Sequence, residues 1–118
     1  ARNKGADTAV KSNLANARAE AEIFYDSNSN SYAPTGVTNG VCSESAANGI
    51  GDNVRAAMTA TGIATTVAVN GIYCGAAADA WAAWAPLKTT ATNAYCVDSK
   101  GSAKTLTTLP TAAITACP

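Results

Sequence analysis

The chain contains no histidine. That absence removes the commonest general base, the commonest metal ligand and the one side chain that titrates unperturbed near neutral pH. Charge is scarce too: Asp, Glu, Lys and Arg make up 14% of the 118 residues, eight basic against eight acidic. With a formal net charge of zero, no global field draws the chain to nucleic acid or anionic lipid. Aromatic residues are only 6%, so the few present are expected to anchor the core.

No CxxC or zinc-knuckle spacing occurs, and there is no GxGxxG, P-loop or HExxH. A Ser or Cys nucleophile would have to take Lys or a carboxylate as its base. Glu20 and Glu22 are close in sequence, but two residues apart they face different ways on a helix. The stretch GIGD at 49–52 reads as a loop leading into a short helix. No catalytic, cofactor-binding or metal-binding residues are expected, and the chain does not read as an enzyme.

What remains is a length that sets one domain, 1–118, with a real but modest core. The composition is rich in Ala, Thr, Ser, Asn and Gly, which suits an exported protein. Four widely spaced cysteines, Cys42, Cys74, Cys96 and Cys117, read as two disulfides formed in an oxidising compartment. Three pairings are open on sequence alone, and buried free thiols are the alternative. No N-x-Ser/Thr sequon is present; the Ser/Thr-rich loops suit O-linked sugars by composition only.

Residues 25–34, YDSNSNSYAP, place Asp26, Asn28 and Asn30 at alternate positions, as in a calcium loop. Such a loop needs Gly at its sixth position and a bidentate Glu at its twelfth. Counted from Asp26, those positions hold Ser31 and Val37. The turn-making residue and the strongest ligand are both absent, so the stretch reads as a helix exit. Asp, Asn and Ser end helices by bonding nearby backbone groups and tolerating unusual dihedrals.

Upstream, residues 1–25 predict a helix. Val10, Leu14, Ala17, Ala21 and Phe24 recur at spacings of four and three and form one apolar stripe. Gly5 is its one weak point. Residues 30–62 form a polar loop with a short helix over Asp52–Thr59, capped by Asp52 and ended by Gly62, with Val54 and Met58 facing inward. From Ile63 the texture turns strand-like: IATTVAVNGIYC, AWAAWAPLK, NAYCVDSKG and AKTLTTL. Asn70-Gly71 signals a hairpin, and Ser99, Lys100 and Gly101 a second turn. Trp81 and Trp84, three apart, share a face of a helix but point to opposite faces of a strand; the abundant alanine favours the helix, Pro86 and the neighbouring strands favour the strand, and the strand is taken. The tail TLPTAAITACP is irregular and needs Cys117 to hold it down.

With helix, loop and sheet laid out, AVKSNLANARAEAEIFYDSNSNSY at 9–32 and YCVDSKG at 95–101 resemble the soluble part of a type IV pilin or pilin-like protein. The resemblance covers nearly the whole chain. It implies an α+β fold: the second half of a long N-terminal helix packed on an antiparallel sheet of three or four strands, with a variable loop between them. Residues 1–25 then match the helix, 30–62 the variable loop, and 63–118 the sheet and tail. The family's disulfide-fastened C-terminal region falls on Cys96–Cys117. The companion bridge expected is Cys42–Cys74, tying the loop to the start of the sheet. The family's apolar first half-helix, its Glu and its processing site are not among these residues.

The expected function is therefore a structural subunit of a pilus or related filament on the cell surface, serving adhesion, motility, DNA uptake or secretion. Its partners would be other pilin subunits and the membrane assembly machinery, with no cofactor and no specific nucleic acid. Methylation of the mature N-terminus is implied by the family alone. An apolar membrane-spanning helix of about 20 residues is expected immediately upstream of Ala1, anchoring the unassembled subunit. The alternative function is a secreted carbohydrate- or surface-binding module that uses Trp81 and Trp84.

Overall fold

A computed structural model describes residues 2–118. Its first element, α1, is a helix over Arg2–Ser27. At 1.5 Å per residue its 26 residues run about 39 Å, nearly the molecule's whole long axis of 42 Å. Val10, Leu14, Ala17, Ala21 and Phe24 are all buried on one face, because only that stripe removes enough apolar area from water.

A second helix, α2, spans Gly51–Ala60, and four strands follow: β1 Cys74–Ala77, β2 Ala80–Pro86, β3 Ala94–Asp98 and β4 Ala103–Leu106. They form one antiparallel sheet in the order β1-β2-β3-β4. The molecule is thus α+β, with a four-stranded sheet.

The stripe of α1 does not rest on the sheet alone. Its most extensive contact is with α2, ahead of β3 and β2. Val54, Ala57 and Met58 of α2 join the same core as the α1 stripe and Trp81, Ala83, Ala85 and Val97 of the sheet. Small Ala17 and Ala21 leave room for this close three-way packing. The segment 30–62, expected as a polar loop, therefore contributes much of the core, including Tyr32, Val41 and Ile50.

Three expectations need correction. The helix passes residue 25 and ends at Ser27. The short helix begins at Gly51, with Ile50 rather than Asp52 at the N-cap. Asp52 lies inside the first turn, where a negative charge is favoured by the positive end of the helix dipole, and no side chain closes a cap bond. The helix runs to Ala60, one residue past the expected Thr59, and Gly62 ends it as expected. Gly62 adopts φ 87°, and Gly62 N donates to Thr59 O while Ile63 N donates to Met58 O, the paired bonds of a Schellman stop.

The third correction concerns the sheet's start. Residues 63–73 form turns, not a strand, and Asn70-Gly71 does not join two strands. Gly71 N bonds Cys74 O across a tight turn that delivers the chain into β1. The apolar residues of this segment have nothing to alternate against: Val69 is buried, while Val67 and Ile72 are exposed. The first hairpin instead turns at 78–79, between the paired Ala77 and Ala80. The second turn, through Ser99, Lys100 and Gly101, joins β3 to β4.

Candidate functional site

Along β2, side chains alternate between two faces. Trp81, Ala83 and Ala85 enter the helix-side core. Trp84 enters a second cluster with Ala94, Cys96 and Leu106, covered by Tyr73, Leu109, Ile114 and Cys117. The tail thus closes the face of the sheet that the helices leave open. Trp84 is 2% exposed, its ring lies 4.7 Å from that of Tyr73, and its indole N–H donates to the Ile72 carbonyl. Trp81 is 1% exposed. The two tryptophans share no exposed platform.

The tail has no helix or strand, and three features seat it. Cys117 is bonded to Cys96 on β3, with their Cα atoms 5.9 Å apart. Gly75 on β1 lies so close to the tail that a Cβ there would run into the Ile114 carbonyl oxygen, so only Gly fits. The third is Asp98, the last residue of β3. Its Oδ1 accepts the amides of Lys100 and Ser102 at 3.0 and 2.9 Å, and its Oδ2 accepts that of Cys117 at 2.8 Å. Burial pushes the Asp98 pKa up, but the amides of Cys117, Ser102 and Lys100 outweigh it, and the carboxyl is held below its usual value.

The second disulfide joins Cys42 to Cys74, with Cα atoms 5.8 Å apart. It fixes the 3₁₀ turn Gly40–Cys42 to the first residue of β1. Around it the loop is stitched by backbone bonds from Tyr32 N to Ala78 O, Val41 N to Tyr32 O and Ile50 N to Val41 O, at 3.0, 2.8 and 2.7 Å. Two disulfides are consistent with a protein that matures in an oxidising compartment.

At the exit of α1 the alternating polar residues serve the backbone. Asn28 Nδ2 donates to the Phe24 carbonyl at 2.8 Å, Ser29 and Asn30 take positive φ, and Ser31 Oγ accepts the Ala33 amide. Glu22, on the preceding turn, accepts the Tyr32 hydroxyl at 2.9 Å. Burial, followed by the bond to Glu22, pushes the Tyr32 pKa up to about 12. Glu20 takes no part in this contact. Among the described residues, no group of three or more His, Cys, Asp or Glu could hold a metal ion. Nor is any helix there long and apolar enough to cross a membrane.

The sequence reading missed Asp98, the Tyr32–Glu22 contact and Asp7, whose Oδ1 accepts the Lys88 amide at 2.5 Å and ties the start of α1 to the end of β2. Only Asp98 carried a local signal, an Asp at the head of the turn DSKG. The other two join residues ten and eighty-one apart. Compared with known proteins, the chain matches no family model, no curated protein and no solved structure.

Proposed function

We propose that this domain is the exposed globular part of a pilin-like filament subunit. The observation that supports the reading is the order of parts along the chain. A long helix with one apolar stripe comes first, then a loop held to the sheet by Cys42–Cys74. A sequential antiparallel sheet follows, and then a tail bonded back by Cys96–Cys117. Such a domain displays its sheet and loops outward, while polymerisation runs through its N-terminal helix and an apolar continuation of it. Its partners are other copies of the subunit and a membrane assembly machinery. Its place is the cell surface, and its role is structural rather than catalytic.

The competing reading, a binding module built on Trp81 and Trp84, loses its support from the burial of both rings on opposite faces of β2. The test is to raise antibodies to the 118-residue domain and apply them to sheared surface filaments of the native organism. Regular labelling along filaments, with a subunit longer than this domain at its N-terminus, is the expected result. Recovery of the protein solely as a free secreted monomer, with no labelled filament, overturns the proposal.

A further inference from the structure

Two arginines of the fold are half-buried, Arg18 on α1 and Arg55 on α2. Arg55 is paired with Glu44 through both Nε and Nη2, at 3.0 and 3.2 Å. Arg18 makes no ion pair or hydrogen bond among the described residues. It lines a cleft of about 470 Å³ between α1 and the turn from β3 to β4, a volume within the range of small-molecule sites. Ala15 and Ala19 form the helix wall, and their small side chains keep the cleft open. Opposite them, the Cβ position of Gly101 lies 3.8 Å from Arg18 Nη2, so the guanidinium stands over the turn.

The other polar groups of the cleft narrow what it can take. Asp98 lines it, but its oxygens are engaged by the amides of Lys100, Ser102 and Cys117. Ser99 Oγ accepts the Trp81 amide at 3.3 Å, which leaves its hydroxyl proton free to donate. Trp81 lines the cleft too, but its indole N–H is sealed from solvent and has no hydrogen-bond partner among the described residues. Glu22 follows Arg18 by one helical turn, yet no ion pair closes between them. One of its oxygens takes the Tyr32 hydroxyl, and the other is an unused acceptor.

We propose that this cleft is a binding site for a hydroxycarboxylate of the sugar-acid class. The guanidinium fork of Arg18 takes the ligand carboxylate, as that of Arg55 takes Glu44. Glu22 repels a bare anion but accepts a hydroxyl held next to the carboxylate, and Ser99 donates to a further oxygen. Neither a neutral sugar nor a simple carboxylate satisfies both Arg18 and Glu22. The inference stands on the monomer and does not depend on filament assembly.

The test is nuclear magnetic resonance titration of the nitrogen-15-labelled domain with galacturonate, galactose and acetate in turn. Galacturonate is expected to shift the Arg18 side-chain N–H and the amides of Ser99, Lys100 and Gly101 saturably. Acetate and galactose should bind at least about tenfold more weakly, the ratio that corresponds to one lost charge-assisted bond. Arg18→Gln should abolish the saturable response, with the Cys117 amide reporting that the fold is intact. Arg18→Lys, which keeps the charge but not the fork, should weaken it and serves as the probe if the Gln variant does not fold. Equal response to galactose or acetate, an unchanged titration in either variant, or shifts spread over Lys4, Lys88 and Lys104 overturns the proposal.

Discussion

The Asp98 carboxylate accepts the backbone amide of Cys117 at 2.8 Å, nineteen residues away and two residues along β3 from the cystine partner Cys96. A covalent bond and a charge-assisted hydrogen bond thus fasten the same end of the tail. The first prediction follows from the charge. Asp98 has a depressed pKa in the folded state. Its contribution to stability is therefore complete above the unfolded value of about 3.9 and is lost as pH falls through the lower folded value. Asp98→Asn should destabilise the domain by about 2 kcal/mol at pH 7. The difference between variant and parent should shrink as pH is lowered below 4, measured by urea unfolding at each pH. A difference independent of pH would show that the carboxylate's charge is not what matters.

Removing the covalent fastening has a separate signature. Cys96→Ser with Cys117→Ser should cost about 3 kcal/mol in the chain-entropy account of a loop this size, or about 10 °C in melting temperature. Because the tail covers Trp84, its emission should move to the red while Trp81, on the helix side, stays buried. Single-tryptophan variants in the same background separate the two. Unchanged Trp84 emission would mean that other contacts hold the tail in place.

Neighbouring positions on α1 should respond oppositely. Phe24 is 1% exposed and Ile23 is 49% exposed. Phe24→Ala should destabilise by about 3–5 kcal/mol through the cavity it leaves. Ile23→Ala should change stability by less than about 0.5 kcal/mol. Chemical denaturation of both variants checks the direction in which the stripe faces.

The Tyr32–Glu22 contact predicts alkaline behaviour. The folded Tyr32 pKa is raised to about 12, so the stability linked to it is complete below the unfolded value of about 10. It is lost as pH rises toward the folded value. Ultraviolet titration should show one of the four tyrosines ionising last, and Tyr32→Phe should delete that late step. Glu22→Gln should bring the step to lower pH, because the charge that opposes phenolate formation is gone. An unaltered last step in Tyr32→Phe would assign it to another ring.

Much of this architecture is local, and local patterns are readable. The spacing of Val10, Leu14, Ala17, Ala21 and Phe24 marks a helix and its inward face, because a period of 3.6 residues is set by backbone geometry. Asn28 to Ser31 mark the helix exit for the same kind of reason: the side chains of Asn28 and Ser31 bond backbone a few residues away, and Ser29 and Asn30 take positive φ. AWAAWAP is divided by local pattern, its alanines favouring a helix and Pro86 with the neighbouring strands favouring a strand; the strand is what forms, and it separates Trp81 and Trp84 onto two faces.

The segment 63–73 shows where that reading stops. Its β-branched residues and Asn-Gly pair have strand and hairpin propensity, yet β1 begins only at Cys74. Strand formation needs a continuous partner edge, and this stretch meets the sheet only at its end, through an isolated bridge from Asn70 to Cys74 and the bond from Trp84 N to Tyr73 O, so turns prevail. Local pattern alone marks a helix with one face to bury and cysteines suited to oxidation. Packing makes α2 share the burial of that face, lays the tail over Trp84 and has Asp98 join strand to tail. Each of these depends on distant residues meeting, and the free energy of a long-range contact belongs to the packed pair rather than to either residue's local sequence.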